Sequence, residues 1–209
     1  MKSIFYDWGG VNVRLFHWIN NTHTEYLDKA MLLGTNLGGH VHFALYFALT
    51  AVAAVFYVSR SAKSNFEMRQ QTAGLWLATL AVFSVAYLLD GALLDWLKPL
   101  LDFPRPPLAL PEGSVYVIGK IEYHHSLPSG HSSFAMLVAA SLWPVLKRWG
   151  RIIGVCLVLW VGVSRISLGA HFPADVLAGF LTSFLLVFLV RWCINRVAQV
   201  FADTSLKYP

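Results

Sequence analysis

The chain has 209 residues, 56% of them hydrophobic and 13% charged, against roughly 45–50% and about 25% in a soluble domain, which excludes an ordinary water-soluble globule. Lys and Arg number 16 and Asp and Glu 11, a formal net charge of +5; in so apolar a chain this balance reports membrane orientation, not a nucleic-acid partner. Cys156 and Cys193 both lie inside apolar runs, which supports neither a disulfide framework nor a thiolate metal site.

In chain order, the first stretch, MKSIFYDWGGVNVRLF, lacks a continuous apolar core and a small-residue cleavage site, so it does not read as a cleaved signal peptide. Arg14, His23, Glu25, Asp28 and Lys29 interrupt any span before residue 40. Thr22-His23-Thr24-Glu25 has the form of a capping box opening a short helix, with Tyr26, Leu27, Ala30 and Met31 on one face. Residues 11–34 are therefore expected as amphipathic helices lying on the membrane surface, with a tilted sixth span as the alternative. Five apolar runs follow, at 41–58, 72–89, 132–146, 152–164 and 176–190, none containing Lys, Arg, Asp or Glu. Several fall short of the ~20 residues that cross a bilayer, so each helix must extend into its polar flanks. Between the second and third runs, residues 103–129 carry Pro104, Pro106, Pro107, Pro111 and Pro128 and two glycines, which predicts a loop long enough to be functional. The expected fold is an all-α polytopic membrane helix bundle. It has five transmembrane helices and an interfacial region over 1–40, in one domain covering 1–209.

Five spans sort the charges onto two faces. One face has the 59–71 connection, the 147–151 turn and the C-terminal tail. It carries nine Lys and Arg, among them Arg60, Lys63, Arg151, Arg191 and Lys207, against Glu67 and Asp203; the other face carries seven against nine acids. The positive-inside rule assigns the first face and the C-terminus to the cytoplasm, and Trp96, Trp149 and Trp192 fall at span ends, where interfacial aromatics belong.

Three clusters lie on the less basic face, each where an apolar run meets a loop: Lys98-Pro-Leu-Leu-Asp-Phe-Pro-Arg105-Pro106, Pro128-Ser129-Gly130-His131, and Ser164-Arg165 followed by His171 and Asp175. Lys98, Arg105 and Arg165 can neutralise phosphate oxygens, the guanidinium forks bidentately. A helix opening near Ser129 and Gly130 adds backbone N–H groups backed by the helix dipole. One imidazole can attack phosphorus while the other protonates the departing oxygen. His171 and Asp175 are four apart, so on a helix starting near Pro173 the carboxylate can hold the ring and support its charge. This assigns His171 as nucleophile and His131 as general acid, then base.

These clusters resemble the type 2 phosphatidic acid phosphatases, which share their site with bacterial acid phosphatases and vanadium haloperoxidases. The pattern is Lys, six residues, Arg-Pro; Pro-Ser-Gly-His; and Ser-Arg, five residues, His, three residues, Asp; residues 98–175 match it without a substitution. The resemblance implies a metal-independent mechanism without cofactor. Lys98, Arg105, Ser129, Gly130 and Arg165 would hold phosphate and His131, His171 and Asp175 would do the chemistry. It further implies a bacterial inner-membrane enzyme opening to the periplasm or exterior and acting on a membrane lipid phosphate. The small size is similar to the undecaprenyl diphosphate phosphatases of the family, some of which carry Asp where Gly130 stands. Phosphatidylglycerophosphate, phosphatidate, lipid A 1-phosphate and phosphoryl transfer to another lipid are the alternatives. A haloperoxidase would be soluble, and a degenerate binding protein or transporter would lack motif residues.

Outside these clusters, His124 and His125 beside His131 and His171 raise the question of zinc, but the Lys- and Arg-rich setting repels a cation. They read as substrate-contacting or loop-packing residues. Asp90, near a span end, is an intramembrane acid with either a functional or a structural partner, and Ser164 either bonds phosphate or packs.

Overall fold

A computed structural model of the chain describes residues 6–61 and 66–207, with side chains up to residue 200. Among these, every regular element is helical. They are α1 (Val11–Asn20), α2 (Glu25–Leu37), a 3-10 turn (His40–His42), α3 (Phe43–Ser61), α4 (Phe66–Leu101), α5 (Pro106–Ala109), α6 (Gly130–Leu142), α7 (Arg148–Ser167) and α8 (Pro173–Lys207). Of the charges used to orient the chain, Lys2 and Lys63 lie outside the described residues, as do the side chains of Asp203 and Lys207.

Four helical segments are long and apolar enough to cross a membrane: His40–Ser61, Phe66–Ala109, Arg148–Ser167 and Pro173–Val200. The third apolar run, 132–146, forms a shorter helix than expected, because α6 stops at Leu142 ahead of Pro144, which has no N–H to continue the ladder. Its 13 residues reach only ~20 Å. It can be short because nine of them are buried against neighbouring helices, so α6 is the hub of the bundle. Val82, Phe83 and Ala86 of α4, Phe134, Leu137 and Val138 of α6, and Val187 and Val190 of α8 form the core around it. The outward faces are apolar too. Leu45, Leu49, Val52 and Phe56 on α3 and Leu181, Phe184, Leu185 and Phe188 on α8 are each more than half exposed, as a bilayer requires and water forbids. Cys156 and Cys193 lie on this outer surface.

The N-terminal helices depart from the expected picture in two ways. The cap of α2 is Thr24, whose Oγ1 accepts from the Leu27 N–H at 3.3 Å; Thr22 instead donates to the Trp18 carbonyl at the end of α1. Glu25 is thus the first helical residue and not the acid of a capping box. Nor does α1 rest its inner face on lipid: that face is Asn12, Phe16 and Asn20, all buried. Asn12 Oδ1 accepts from the Ala174 N–H at 3.0 Å, capping α8. Asn20 donates to the carbonyls of Tyr116 (2.7 Å) and Ser167 (2.9 Å) and accepts from the Tyr116 N–H (2.9 Å). Two buried amides therefore lock α1 across the ends of α7 and α8. Helix α2 runs alongside α7, with the Trp160 indole donating to the Ala30 carbonyl.

Candidate active site

At the end of the bundle where α4, α6, α7 and α8 meet the 103–129 loop, a cavity of about 580 Å³ opens. Lys98, Arg105, Gly130, His131, Arg165 and His171 line it together, so residues from all three sequence clusters converge on one space. Lys120, Asp95 and Glu122 also face it, as do Thr35 and His40 from the N-terminal third. Ser129 and Asp175 stand behind its wall with no exposed surface.

The geometry of His171 follows from how α7 ends and α8 begins. Gly169, at φ +73°, follows the C-terminus of α7. The Ala170 N–H bonds to the Arg165 carbonyl and the Gly169 N–H to that of Ile166, the paired bonds of a Schellman motif. The His171 N–H also bonds to the Arg165 carbonyl, so the five-residue spacing between Arg165 and His171 is that of a closed helix end. Two residues on, Pro173 opens α8 with its φ already helical. Asp175, in the first turn, reaches back to the Phe172 N–H at 2.8 Å through Oδ2, the acid half of a capping box. One carboxylate thereby caps a helix and orients a ring.

That oxygen is crowded. Asp175 Oδ2 lies 3.5 Å from His171 Nδ1 and accepts from Ser126 Oγ at 2.5 Å, while Oδ1 accepts from the Tyr6 hydroxyl at 2.8 Å. On its other side, His171 Nε2 lies 3.3 Å from Arg105 Nη1. A guanidinium can only donate, so Nε2 carries the lone pair and Nδ1 the proton directed at Asp175. Burial, opposed by the hydrogen bond and charge of Asp175 and reinforced by Arg105 and Arg165, pushes the imidazole down to about 3. At neutral pH the ring is therefore uncharged, with an unprotonated nitrogen toward the cationic cavity.

The cations are held by different means. Arg105 donates from Nε to the His124 carbonyl (2.9 Å) and from Nη1 to that of Ala170 (3.3 Å), and pairs through Nη2 with Glu122 at 2.8 Å. Arg165 donates from Nη1 to Thr35 Oγ1 at 2.6 Å, and its Nε is buried without a hydrogen-bond partner among the described residues. Such an orphaned donor at a cavity wall is a place for an acceptor. Behind Gly130, the Ser133 N–H makes the first intrahelical bond of α6, to the Ser129 carbonyl, so the N–H groups of Gly130, His131 and Ser132 are those a helix leaves unsatisfied at its start.

Several sequence candidates fall elsewhere. The Ser129 hydroxyl accepts from Ser132 at 3.0 Å inside the protein, which leaves Ser129 the position of N-cap to α6. Ser164 donates to the Val161 carbonyl and is buried, the packing alternative. His124 and His125 gather at Asp102, with Nδ1 atoms 3.4 and 3.3 Å from its Oδ1, and pack the loop onto the end of α4. Among the described residues no group of three His, Cys, Asp or Glu is arranged to hold a metal ion. Four residues of the site carry no sequence signal of their own: Tyr6, Thr35, Ser126 and Glu122.

Residues 79–199, more than half of the chain, match the PAP2 superfamily. The chain belongs to that superfamily. It is 34% identical over 129 residues to the phosphatidylglycerophosphatase B of Bacillus subtilis, covering 55% of this chain and 56% of that one. It is 29% identical over 136 residues to a lipid A 1-phosphatase of Rhizobium johnstonii, covering 64% and 51%. The undecaprenyl-diphosphatase of Sulfolobus acidocaldarius is 25% identical over 183 residues, covering 86% and 77%. The chain thus spans little more than half the length of the first two curated relatives. Two crystal structures share the fold at 24% identity. They are Aquifex aeolicus LpxE (TM-score 0.58, covering 86% of this chain and 94% of that one) and a transmembrane PAP2-type phosphatidylglycerolphosphate phosphatase of Bacillus subtilis (TM-score 0.63, covering 90% and 87%).

Tyr6 lies ahead of the stretch matched to the PAP2 superfamily, yet it donates to the acid at the centre of the site. Burial first, then the adjacent Asp175 carboxylate, hold its phenol well above the ordinary range, so it remains a donor at every working pH. Removing a hydrogen bond to a buried charge costs about 1.5–3 kcal/mol. Tyr6→Phe is expected to lower stability by that amount in detergent-solubilised protein, read by thermal unfolding; an unchanged midpoint would mean that the phenol does not hold Asp175.

Proposed function

We propose that the chain is an integral membrane lipid phosphatase, a single domain that hydrolyses a lipid phosphate or diphosphate through a phosphohistidine on His171. Undecaprenyl diphosphate, converted to undecaprenyl phosphate, is the first substrate to test. The observation that carries this reading is the two-sided environment of His171. One nitrogen faces a cavity holding Lys98, Arg105 and Arg165, and the other faces a buried carboxylate. In the proposed reaction the three cations and the α6 N-terminus hold the phosphoryl oxygens. His171 Nε2 attacks phosphorus, the bond to the leaving oxygen breaks, and His131, protonated once the bound phosphate offsets the burial and neighbouring cations that hold its pKa down, gives that oxygen a proton. The phosphorylated ring is cationic, and Asp175, receiving its Nδ1–H, balances the charge. His131 then takes a proton from water as the water oxygen attacks phosphorus; the P–N bond breaks and phosphate leaves. No metal or cofactor enters any step.

The lipid would come in laterally between helices, its phosphate reaching the cationic cavity and its tail remaining in the bilayer. The charge asymmetry of the two faces supports a bacterial inner membrane location with the site toward the periplasm or exterior and the C-terminus in the cytoplasm. Phosphatidylglycerophosphate, phosphatidate and lipid A 1-phosphate complete the substrate panel, and a second lipid in place of water would make the enzyme a phosphotransferase.

Purified protein in detergent is expected to release phosphate from at least one lipid of this panel, in the presence of a strong chelator and with loss on adding vanadate. His171→Ala should fall below detection. Phosphate release by the purified variant would overturn the nucleophile, and activity lost to chelator but restored by a divalent metal would overturn the metal-independent mechanism. For orientation, a cysteine placed within 103–128 should react with an impermeant thiol reagent on intact spheroplasts, and one within 59–61 or 66–71 should not. The reverse pattern contradicts the topology.

A further inference from the structure

A second histidine–aspartate pair, which the proposed mechanism does not use, adjoins the same cavity through His40. Asp90 of α4 has no exposed surface. Its Oδ1 accepts from Ser133 of α6 and Ser183 of α8, each at 2.7 Å. Its Oδ2 is buried without a hydrogen-bond partner among the described residues and faces His40 Nε2 at 3.6 Å. A buried carboxylate is costly unless it is paired, and His40 supplies the group that can pair with it. The His40 ring is held on its flanks by Phe134 and Tyr87, at centroid distances of 5.0 and 6.2 Å. It is only about one-third exposed and lines the cavity.

What His40 looks onto is a gap. A Cβ added at Gly130 would meet His40 Cε1 at 3.5 Å, Lys98 Nζ at 3.6 Å and Leu94 Cδ1 at 3.8 Å, so the glycine leaves space between an imidazole and an ammonium. The spacing explains the arrangement. Asp90, Leu94 and Lys98 are four apart and share one face of α4, running from the buried acid to the cavity. Gly38 brings the other partner in: a Cβ there would meet Val161 Cγ1 at 2.5 Å and the His131 carbonyl at 3.1 Å, so a glycine lets the α2 end pack closely against α7 and the start of α6. The gap therefore adjoins His131, the residue proposed to protonate the leaving oxygen, and whatever that oxygen belongs to has to lie beside it. Asp95 and Glu122 also line the cavity, against Lys98, Arg105, Lys120 and Arg165, so cations outnumber carboxylates there.

We infer that His40, positioned by Asp90, and Lys98 form a second anion subsite over Gly130 that holds the leaving-group phosphate of a lipid diphosphate. The inference rests on the phosphatase reading of the cavity and specifies its substrate class. His40 contacts the ligand; Asp90 acts through His40.

The test compares a prenyl diphosphate with the prenyl monophosphate of the same tail, using the full chain purified in detergent. The wild-type protein is expected to have the higher kcat/KM on the diphosphate. His40→Ala should lower that value at least tenfold more than it lowers the monophosphate value, mainly through KM. Asp90→Asn should shift the ratio the same way, and His40→Gln, which keeps a donor, should recover part of it. Competitive inhibition gives a reading independent of lipid turnover and of any variant that folds poorly: wild-type protein should bind inorganic pyrophosphate more tightly than orthophosphate. Equal losses on both substrates, a wild-type preference for the monophosphate, or no advantage of pyrophosphate would overturn the subsite and leave the phosphatase reading in place. Release of phosphate from none of the lipids would overturn that reading itself.

Discussion

A carboxylate with no exposed surface must be satisfied from within the protein, and the structure around Asp175 is organised by that requirement. Its acceptors are met by a phenol from the N-terminal segment, a hydroxyl from the long loop, a backbone N–H at the start of α8, and the His171 ring four residues away. The donors come from three parts of the chain: Tyr6 ahead of α1, Ser126 of the 103–129 loop, and the adjacent His171 and Phe172 of the α7–α8 turn, which converge on a carboxylate in the first turn of α8. Burial of an ionised group is expensive unless every lone pair is used. That expense is met in part by segments of the chain that do not resemble a membrane span.

The same rule appears twice. Asp90 ties α4, α6 and α8 together through two serines, leaving one oxygen to face His40, whereas the Asp175 oxygen that faces His171 also accepts from Ser126 and the Phe172 N–H. In both pairs the acid is at 0% exposure and the ring reaches the cavity. The bundle therefore places fixed negative charge behind its histidines and fixed positive charge in front of them, with Lys98, Arg105 and Arg165 across the space. Such a field favours an anion with its negative charge toward the guanidinium groups, which is the polarity the proposed phosphoryl transfer needs.

Much of this was legible in the sequence because it depends on local spacing. The four-residue step from His171 to Asp175 and Pro173 at a helix start are features within about ten residues, governed by helix geometry; Gly169 closing α7 after Arg165 is seen only in the structure. Cations at the ends of charge-free runs were equally plain, since a span has nowhere else to put them. Tyr6, Ser126 and Thr35 were not legible: Tyr6 is 169 residues from its partner, and single hydroxyls have no pattern. Asn12 and Asn20 were missed for a related reason, as buried amides read like polar breaks in an amphipathic helix. The apolar run at 132–146 suggested a full span because hydropathy cannot distinguish a helix surrounded by lipid from one surrounded by protein. At Thr22 two threonines two residues apart competed for one cap, and the choice depended on the Trp18 carbonyl that Thr22 found instead.

In the proposed reaction Asp175 fixes the tautomer of His171, so that Nε2 and not Nδ1 attacks phosphorus. The most direct measurement is the position of phosphorus in the covalent intermediate. It can be trapped by rapid quenching during turnover of a lipid phosphate, digested under alkaline conditions and identified by 31P NMR and mass spectrometry. Phosphate is expected on Nε2 of His171. Phosphate on Nδ1, on His131, or on no histidine at all would contradict it.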